Sequence, residues 1–279
     1  MEVLASPAAM REWRSRRPSG RSLGLVPTMG ALHDGHATLI RASREADGET
    51  VLSIFVNQLQ FNQESDFASY PRTWEQDIEL ASSLGVTAVY APTADSMYPE
   101  GHDTTVVPGR VSEPMEGQER PGHFVGVATV VAKLFNAVLP HRAYFGAKDF
   151  QQLAVIRRMV SDLDYGLEIV SVPTVREQDG LAMSSRNARL SPASRRSAPV
   201  LHRALEAAAS AHAGGVVRSA DLELLATGII NAEAACRIEY VSVADATSLQ
   251  PVDVVERPAV ICVAAWFGDV RLIDNVQIS

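Results

Sequence analysis

A chain of 279 residues, 46% hydrophobic and 6% aromatic, is long enough for one large domain or two modest ones with a sizeable core. Its formal net charge of −8 argues against nucleic acid as the main partner, because phosphate backbones call for a basic surface. No apolar run approaches the roughly 18–20 residues that cross a bilayer, and the basic opening stretch lacks the apolar core of a signal peptide, so the expectation is a cytoplasmic protein with no membrane partner.

The predicted elements alternate from the start. A strand over Ser22–Pro27 leads into a helix near Asp34. The β-branched run Thr50–Asn57 reads as a strand buried on both faces. Thr73–Leu84 reads as a helix, with Thr73 and Gln76 as a capping box, and Val86–Ala91 as the next strand. Phe124–Leu139 is apolar nearly all round, hence a buried helix, and Pro140 stops it. A short strand at Ala143–Gly146, a helix from Phe150 to Leu163 and a strand over Leu167–Pro173 complete the first part.

After Val175 the texture changes. Leu190–Ala213 reads as an Ala-rich helix and Ser219–Ala232 as another. Three strands follow at Arg237–Val243, Ala259–Phe267 and Val270–Ile278, with Gly268-Asp269 as a hairpin turn. The expected fold is therefore α/β. A doubly wound, parallel, Rossmann-like sheet spans residues 1–175, and a smaller α+β domain over 176–279 acts as a lid. In such sheets ligands bind beyond the carboxyl ends of the strands, so the polar residues directly after the strands should carry the chemistry.

Cys236 and Cys262 lie far apart in apolar runs, and buried reduced thiols are the expectation. The cations are more telling. Of 25 basic residues only Lys133 and Lys148 are lysine, the rest being arginine. Lys148 sits between a predicted strand and a predicted helix, where a compact ammonium can reach a phosphate as a point charge.

The strongest segment is Pro27-Thr28-Met29-Gly30-Ala31-Leu32-His33-Asp34-Gly35-His36, where the first strand meets the first helix. A helix N-terminus offers unpaired N–H groups and a partial positive charge, which suits a triphosphate. His33 and His36 share one face of the first turn and can donate to phosphate oxygens that gain charge as pyrophosphate leaves. Two plainer readings stand beside this one: Asp34 as a simple N-cap, and the histidines as zinc ligands, although no Cys or HExxH partner accompanies them.

The His-x-Gly-His step resembles the nucleotidyltransferase superfamily that includes class I aminoacyl-tRNA synthetases, and the longer string PTMGALHDGH is similar to the pantothenate synthetase family. Four further segments agree in order and spacing. They are Phe55-Val56-Asn57 with Gln60-Phe61, Asp66 and Tyr70-Pro71-Arg72-Thr73; Arg120-Pro121-Gly122-His123; Tyr144 to Leu153; and Val172 to Asn187. The resemblance covers nearly all of residues 22–190.

The resemblance implies an ATP-dependent ligase that joins pantoate to β-alanine through a pantoyl adenylate, releasing AMP and pyrophosphate. His36, His33 and Lys148 would be its catalytic residues. ATP would be held by Met29 to His36, by Gly146, Ala147, Lys148 and Asp149, and by Val175, Met183, Ser184, Ser185 and Arg186. Met-Ser-Ser-Arg would be the second phosphate-binding loop, with Arg186 in place of a lysine; a Ser-rich linker is the plain alternative. Pantoate would be held by Gln60, Gln152, Arg120 and His123, and β-alanine by Gln60. The resemblance also implies a homodimer; Mg²⁺ is expected with ATP, held largely by phosphates and water, with Asp77 as a candidate carboxylate contact. Asp149 and Gln152 also form a candidate capping box that needs no ligand. The departures are Gln58, where the family usually has Pro and the turn aiming Gln60 gains freedom, and Ala147 for Glu. Two rival readings share the superfamily motif: a nucleotidylyltransferase acting on a phosphate ester, and a non-catalytic RNA-binding relative of the tRNA synthetases.

Overall fold

The structure, a computed structural model, describes residues 1–279. Its first half winds a six-stranded sheet: β1 (Glu2–Leu4), α1 (Pro7–Ser15), β2 (Leu23–Thr28), α2 (Asp34–Ala46), β3 (Glu49–Ile54), α3 (Glu64–Ala68), α4 (Trp74–Ser83), β4 (Ala88–Tyr90), α5 (Ala94–Met97), α6 (Glu116–Glu119), α7 (His123–Val138), β5 (Arg142–Gly146), α8 (Phe150–Asp162) and β6 (Glu168–Val172). The strands lie in the order β1-β4-β3-β2-β5-β6, and every pair is parallel. Apolar residues such as Leu25, Val26, Val51 and Leu52 are fully buried, as a sheet covered by helices on both faces requires.

The second half adds α9 (Pro192–Ser197), α10 (Val200–Ala213), α11 (Ser219–Asn231) and an antiparallel sheet of β7 (Cys236–Asp245), β8 (Ala259–Phe267) and β9 (Val270–Ile278). No helix is long and apolar enough to cross a membrane.

Element boundaries follow the sequence reading, apart from one divided helix and several short elements that the reading lacks. The expected Leu190–Ala213 helix is two, broken at Ala198-Pro199, because Pro199 has no N–H to continue the ladder. β1, α1, α3, α5 and α6 have no counterpart in the reading; β1 is three residues long with only Leu4 buried, too short for a periodicity signal. Thr73 does not cap α4 with its side chain; its hydroxyl donates to Asp77 instead. Both cysteines are free thiols, Cys262 buried and Cys236 half-buried.

The two halves are fastened together. The largest core cluster includes Ala244, Leu249, Val260 and Cys262 from the second half. The Asn275 amide donates to the carbonyls of Ala147 and Lys148 at 3.0 and 2.7 Å, while within residues 176–279 Arg176 forks onto Asp274 at 2.6 and 3.0 Å. The C-terminal sheet thus grips the loop after β5 directly.

Candidate active site

From β2 the chain winds to β3 and β4 on one side, while β5 and β6 lie on the other. The order reverses between β2 and β5, and a crevice forms at such a switch point beyond the strand ends. The loops after β2, β3, β5 and β6 converge there on a cleft of about 240 Å³.

The loop after β2 is shaped by Asp77. Its carboxylate accepts from the Ala31 and Leu32 N–H groups at 3.0 and 2.8 Å and from the Thr73 hydroxyl at 3.0 Å. Gly30 has φ +81°, and a Cβ there would stand 3.0 Å from the Asp77 carboxylate and 3.2 Å from Ile54, so the turn requires glycine. Asp77, the residue expected beside Mg²⁺, is 2% exposed, is committed to these three donors and does not line the cleft. No group of three His, Cys, Asp or Glu side chains that could hold a metal forms anywhere in the chain, which removes the support for a zinc site at the histidines.

Asp34 is not the cap either. His33 occupies the N-cap of α2, and its Nδ1 accepts from the Gly35 N–H at 3.1 Å; the His36 Nδ1 accepts from the His33 N–H at 3.3 Å. This is a capping box made of imidazoles. Each Nδ1 being an acceptor, the proton of each neutral ring resides on Nε2, and both rings keep one N–H donor. Their centroids are 4.1 Å apart. Burial, then its neighbours His33 and Lys148, push the His36 pKa down to about 3; burial and Lys148 lower that of His33. Both rings stay neutral near pH 7, as donors to an anion rather than counter-charges.

The loop after β3 presents Gln60. The 3-10 turn Gln58–Gln60 closes with Gln58 in place, and buried Asn57 aims the side chain by donating to the Gln60 Oε1 at 3.0 Å and to the Gly126 carbonyl at 3.1 Å, while accepting from the Tyr98 hydroxyl at 2.7 Å. A Cβ at Gly126 would lie 2.3 Å from the Leu59 carbonyl oxygen; glycine lets α7 touch this turn. The Gln60 carbonyl in turn accepts from Arg120 Nη2 at 3.2 Å and from His123 Nδ1 at 2.8 Å, and Arg120 Nη1 donates to His123 Nε2 at 3.2 Å. His123 is held neutral, its pKa lowered to about 3 by burial and the Arg120 charge.

After β5, Gly146, Lys148, Asp149 and Gln152 all line the cleft. The candidate Asp149–Gln152 capping box does not form, since the Asp149 side chain makes no cap bond. Burial lowers the Lys148 pKa, and Asp149, Asp274 and Glu116 offset this only in part. A cation so placed gains from an incoming anion. After β6, Val175 lines the cleft together with Met183 to Arg186. The Ser184 hydroxyl accepts from the Arg186 N–H at 3.2 Å, and the Ser185 hydroxyl bonds the Tyr70 hydroxyl at 3.3 Å. Arg186 and Arg189 both donate to Asp66 at 3.0 Å, so the loop after β3 is strapped to the serine-arginine loop.

The structure brings together His33, Gly35, His36, Met29, Gln60, Arg120 and His123 with the residues just named after β5 and β6. Gly30, Ala31, Leu32, Asp34 and Ala147 are not on the wall; they shape the loops that carry it. Asn57 and Tyr70 line the cleft too, and the sequence signal for them is their place inside matched segments. Val127, Val131 and Leu134 make an apolar floor from one side of α7, which an all-round apolar pattern does not single out.

Comparison with known proteins gives the family of the chain. The family model described as pantoate-beta-alanine ligase matches residues 2–277. The chain is 49% identical to a pantothenate synthetase of Moorella thermoacetica over 280 residues, covering 100% of this chain and 99% of that protein. It is 50% identical to one from Rubrobacter xylanophilus, covering 99% and 98%. Among solved structures, a pantothenate synthetase from Thermus thermophilus superposes with a TM-score of 0.93 at 45% identity, covering 99% of both chains. The Francisella tularensis pantoate-beta-alanine ligase, complexed with beta-gamma ATP and beta-alanine, gives 0.83 at 31% identity, covering 99% and 97%.

Proposed function

The chain belongs to the pantoate–β-alanine ligase family, and from that premise we propose how its cleft carries out the ATP-dependent condensation. The pantoate carboxylate attacks the α-phosphorus of ATP and pyrophosphate leaves; the β-alanine amine then attacks the acyl carbon of the adenylate and AMP leaves with the bonding electrons. The chain needs no covalent nucleophile. It positions three substrates and stabilises charge that develops on phosphate oxygens.

In this reading the Nε2–H groups of His33 and His36 donate to the polyphosphate as it gains charge. Lys148 supplies the point charge, and Arg186 with the Ser184 and Ser185 hydroxyls grips the outgoing phosphates. Gln60, Gln152, Arg120 and His123 hold pantoate, and Gln60 also meets β-alanine; an amide that donates and accepts suits a substrate with hydroxyls and a carboxylate. The apolar floor excludes water that would otherwise hydrolyse the adenylate. The single observation that carries the proposal is the convergence of neutral imidazole donors, a partly desolvated ammonium and a serine-arginine loop on one cleft.

No protein cage for Mg²⁺ fits these residues. Mg²⁺ enters this proposal with the nucleotide, held by phosphate oxygens and water, and no step is assigned to it. The β7–β9 half acts as the closing domain. A homodimer is carried over from the resemblance, and sedimentation of the purified chain checks it; a cytoplasmic setting rests on the sequence, which has no membrane-length apolar run and no apolar signal-peptide core.

Incubating the protein with ATP, pantoate and β-alanine tests the function. AMP release should require both co-substrates and match pantothenate formed mole for mole. Release without the amine at the full rate, or a dinucleotide product, would overturn it.

A further inference from the structure

Arg120 stands where the cleft meets two side cavities, and its orientation is not set by the cleft alone. Its Nη1 lies 3.4 Å from Glu116 Oε2. Glu116 is 6% exposed and gathers donors from the C-terminal sheet: Arg271 of β9 through Nη1 and Nη2 at 2.8 and 2.6 Å, and the Tyr240 hydroxyl of β7 at 2.7 Å. Arg271 is itself braced by Glu239, which accepts from its Nε at 2.7 Å. On the near side, the Glu116 N–H donates to Gln151 Oε1 at 3.0 Å, and the Gln151 amide ties down the Val111 and Pro114 carbonyls.

We propose that Glu116 is a positioning residue for the known reaction: it couples Arg120 to the docked C-terminal sheet, so that the carboxylate-binding corner of the cleft is complete only with β7 and β9 in place. The inference rests on the reading of Arg120 as a pantoate ligand. Three facts carry it. The guanidinium of Arg120 has two fixed partners in the cleft wall, the Gln60 carbonyl and His123, and Glu116 sets the third point that defines its plane. The charges of Arg186 and Arg271 both act against that of Arg120, so an uncompensated Arg120 would be repelled from this corner. Glu116 also stays ionised: burial works to raise its pKa, but hydrogen bonds and charge from Arg271, then Arg120, hold it at about 2.

A purely structural ion pair between the two halves would look similar, but it makes a different kinetic prediction. Glu116→Gln in the full chain keeps the shape and removes the charge. The positioning role predicts that KM for a carboxylate co-substrate, pantoate first, rises on the order of tenfold. KM for ATP should stay within about twofold and kcat within about threefold. Tyr240→Phe removes a single donor to Glu116 and should move the same KM in the same direction by a smaller factor. It decides the matter where Glu116→Gln does not fold. Folded variants with an unchanged KM for both acids, or with an equal rise in KM for ATP, overturn the proposal. Wild-type turnover of pantoate is measured first, so that failure of the parent reading is seen separately.

Discussion

Lys148→Met is the sharpest perturbation the cleft offers, because it removes a charge while keeping most of the volume. The ammonium is already penalised in the free protein: burial lowers its pKa and the nearby carboxylates compensate only in part. Removing it should leave thermal stability unchanged or slightly raised, since an incompletely compensated charge costs free energy. Catalysis should suffer in proportion to what the charge contributes when phosphates are present. At about 4 Å and an effective dielectric of about 20, one ammonium–phosphate interaction is worth about 4 kcal/mol, or on the order of a thousandfold in rate. The assay is pantoate-dependent exchange of labelled pyrophosphate into ATP without β-alanine, which isolates the adenylation step, alongside a melting curve. Exchange at the wild-type rate in a folded Lys148→Met protein refutes the reasoning, and so does a large loss of Tm, which would make Lys148 a structural residue.

Three other outcomes are expected. Asp77→Ala strips the loop after β2 of a buried acceptor and leaves the Ala31 and Leu32 N–H groups without it; denaturant unfolding should reveal a loss of about 2–4 kcal/mol, with adenylation falling as the His33–His36 turn loosens. Acid stability should reflect the buried imidazoles: His36 and His123 have folded pKa values of about 3 against 6.5 in the unfolded chain, so the unfolded state binds the extra protons. Stability is then full above about pH 6.5 and falls as pH drops towards 3, by about 2 kcal/mol per residue at pH 5, and His36→Gln should flatten that slope in a pH series of chemical unfolding. Asp66→Asn weakens the strap from Arg186 and Arg189; a limited-proteolysis time course should show faster cutting near residues 61–70 in the variant than in the wild type.

Much of this architecture is legible locally. The hairpin at Gly268-Asp269 falls where φ +61° at Gly268 makes a two-residue turn, and the strand-then-glycine pattern at Val26 to Gly30 marks the start of the cleft because both signals are adjacent in sequence. Caps are harder. Asp34, Thr73 and Asp149 are good capping types in the right places, yet an imidazole caps α2, Thr73 turns to Asp77, and the Asp149 side chain makes no cap bond. Local propensity ranks residue types and does not see which partner is nearer. Asp77 illustrates the same limit across distance. Its backbone donors lie 45 and 46 positions away, and only the packing of α4 under the loop reveals that the carboxylate builds the turn. The Glu116 network is less legible still, since it joins residues 124 and 155 positions apart.

The most direct measurement is a crystal structure of this protein with pantoate and a non-hydrolysable ATP analogue. The triphosphate should run past the Nε2 atoms of His33 and His36, with Lys148 Nζ and the Arg186 guanidinium within about 3 Å of its oxygens, and the pantoate carboxylate should face the α-phosphorus. A nucleotide seated with its phosphates pointing away from these groups would contradict the account at its root.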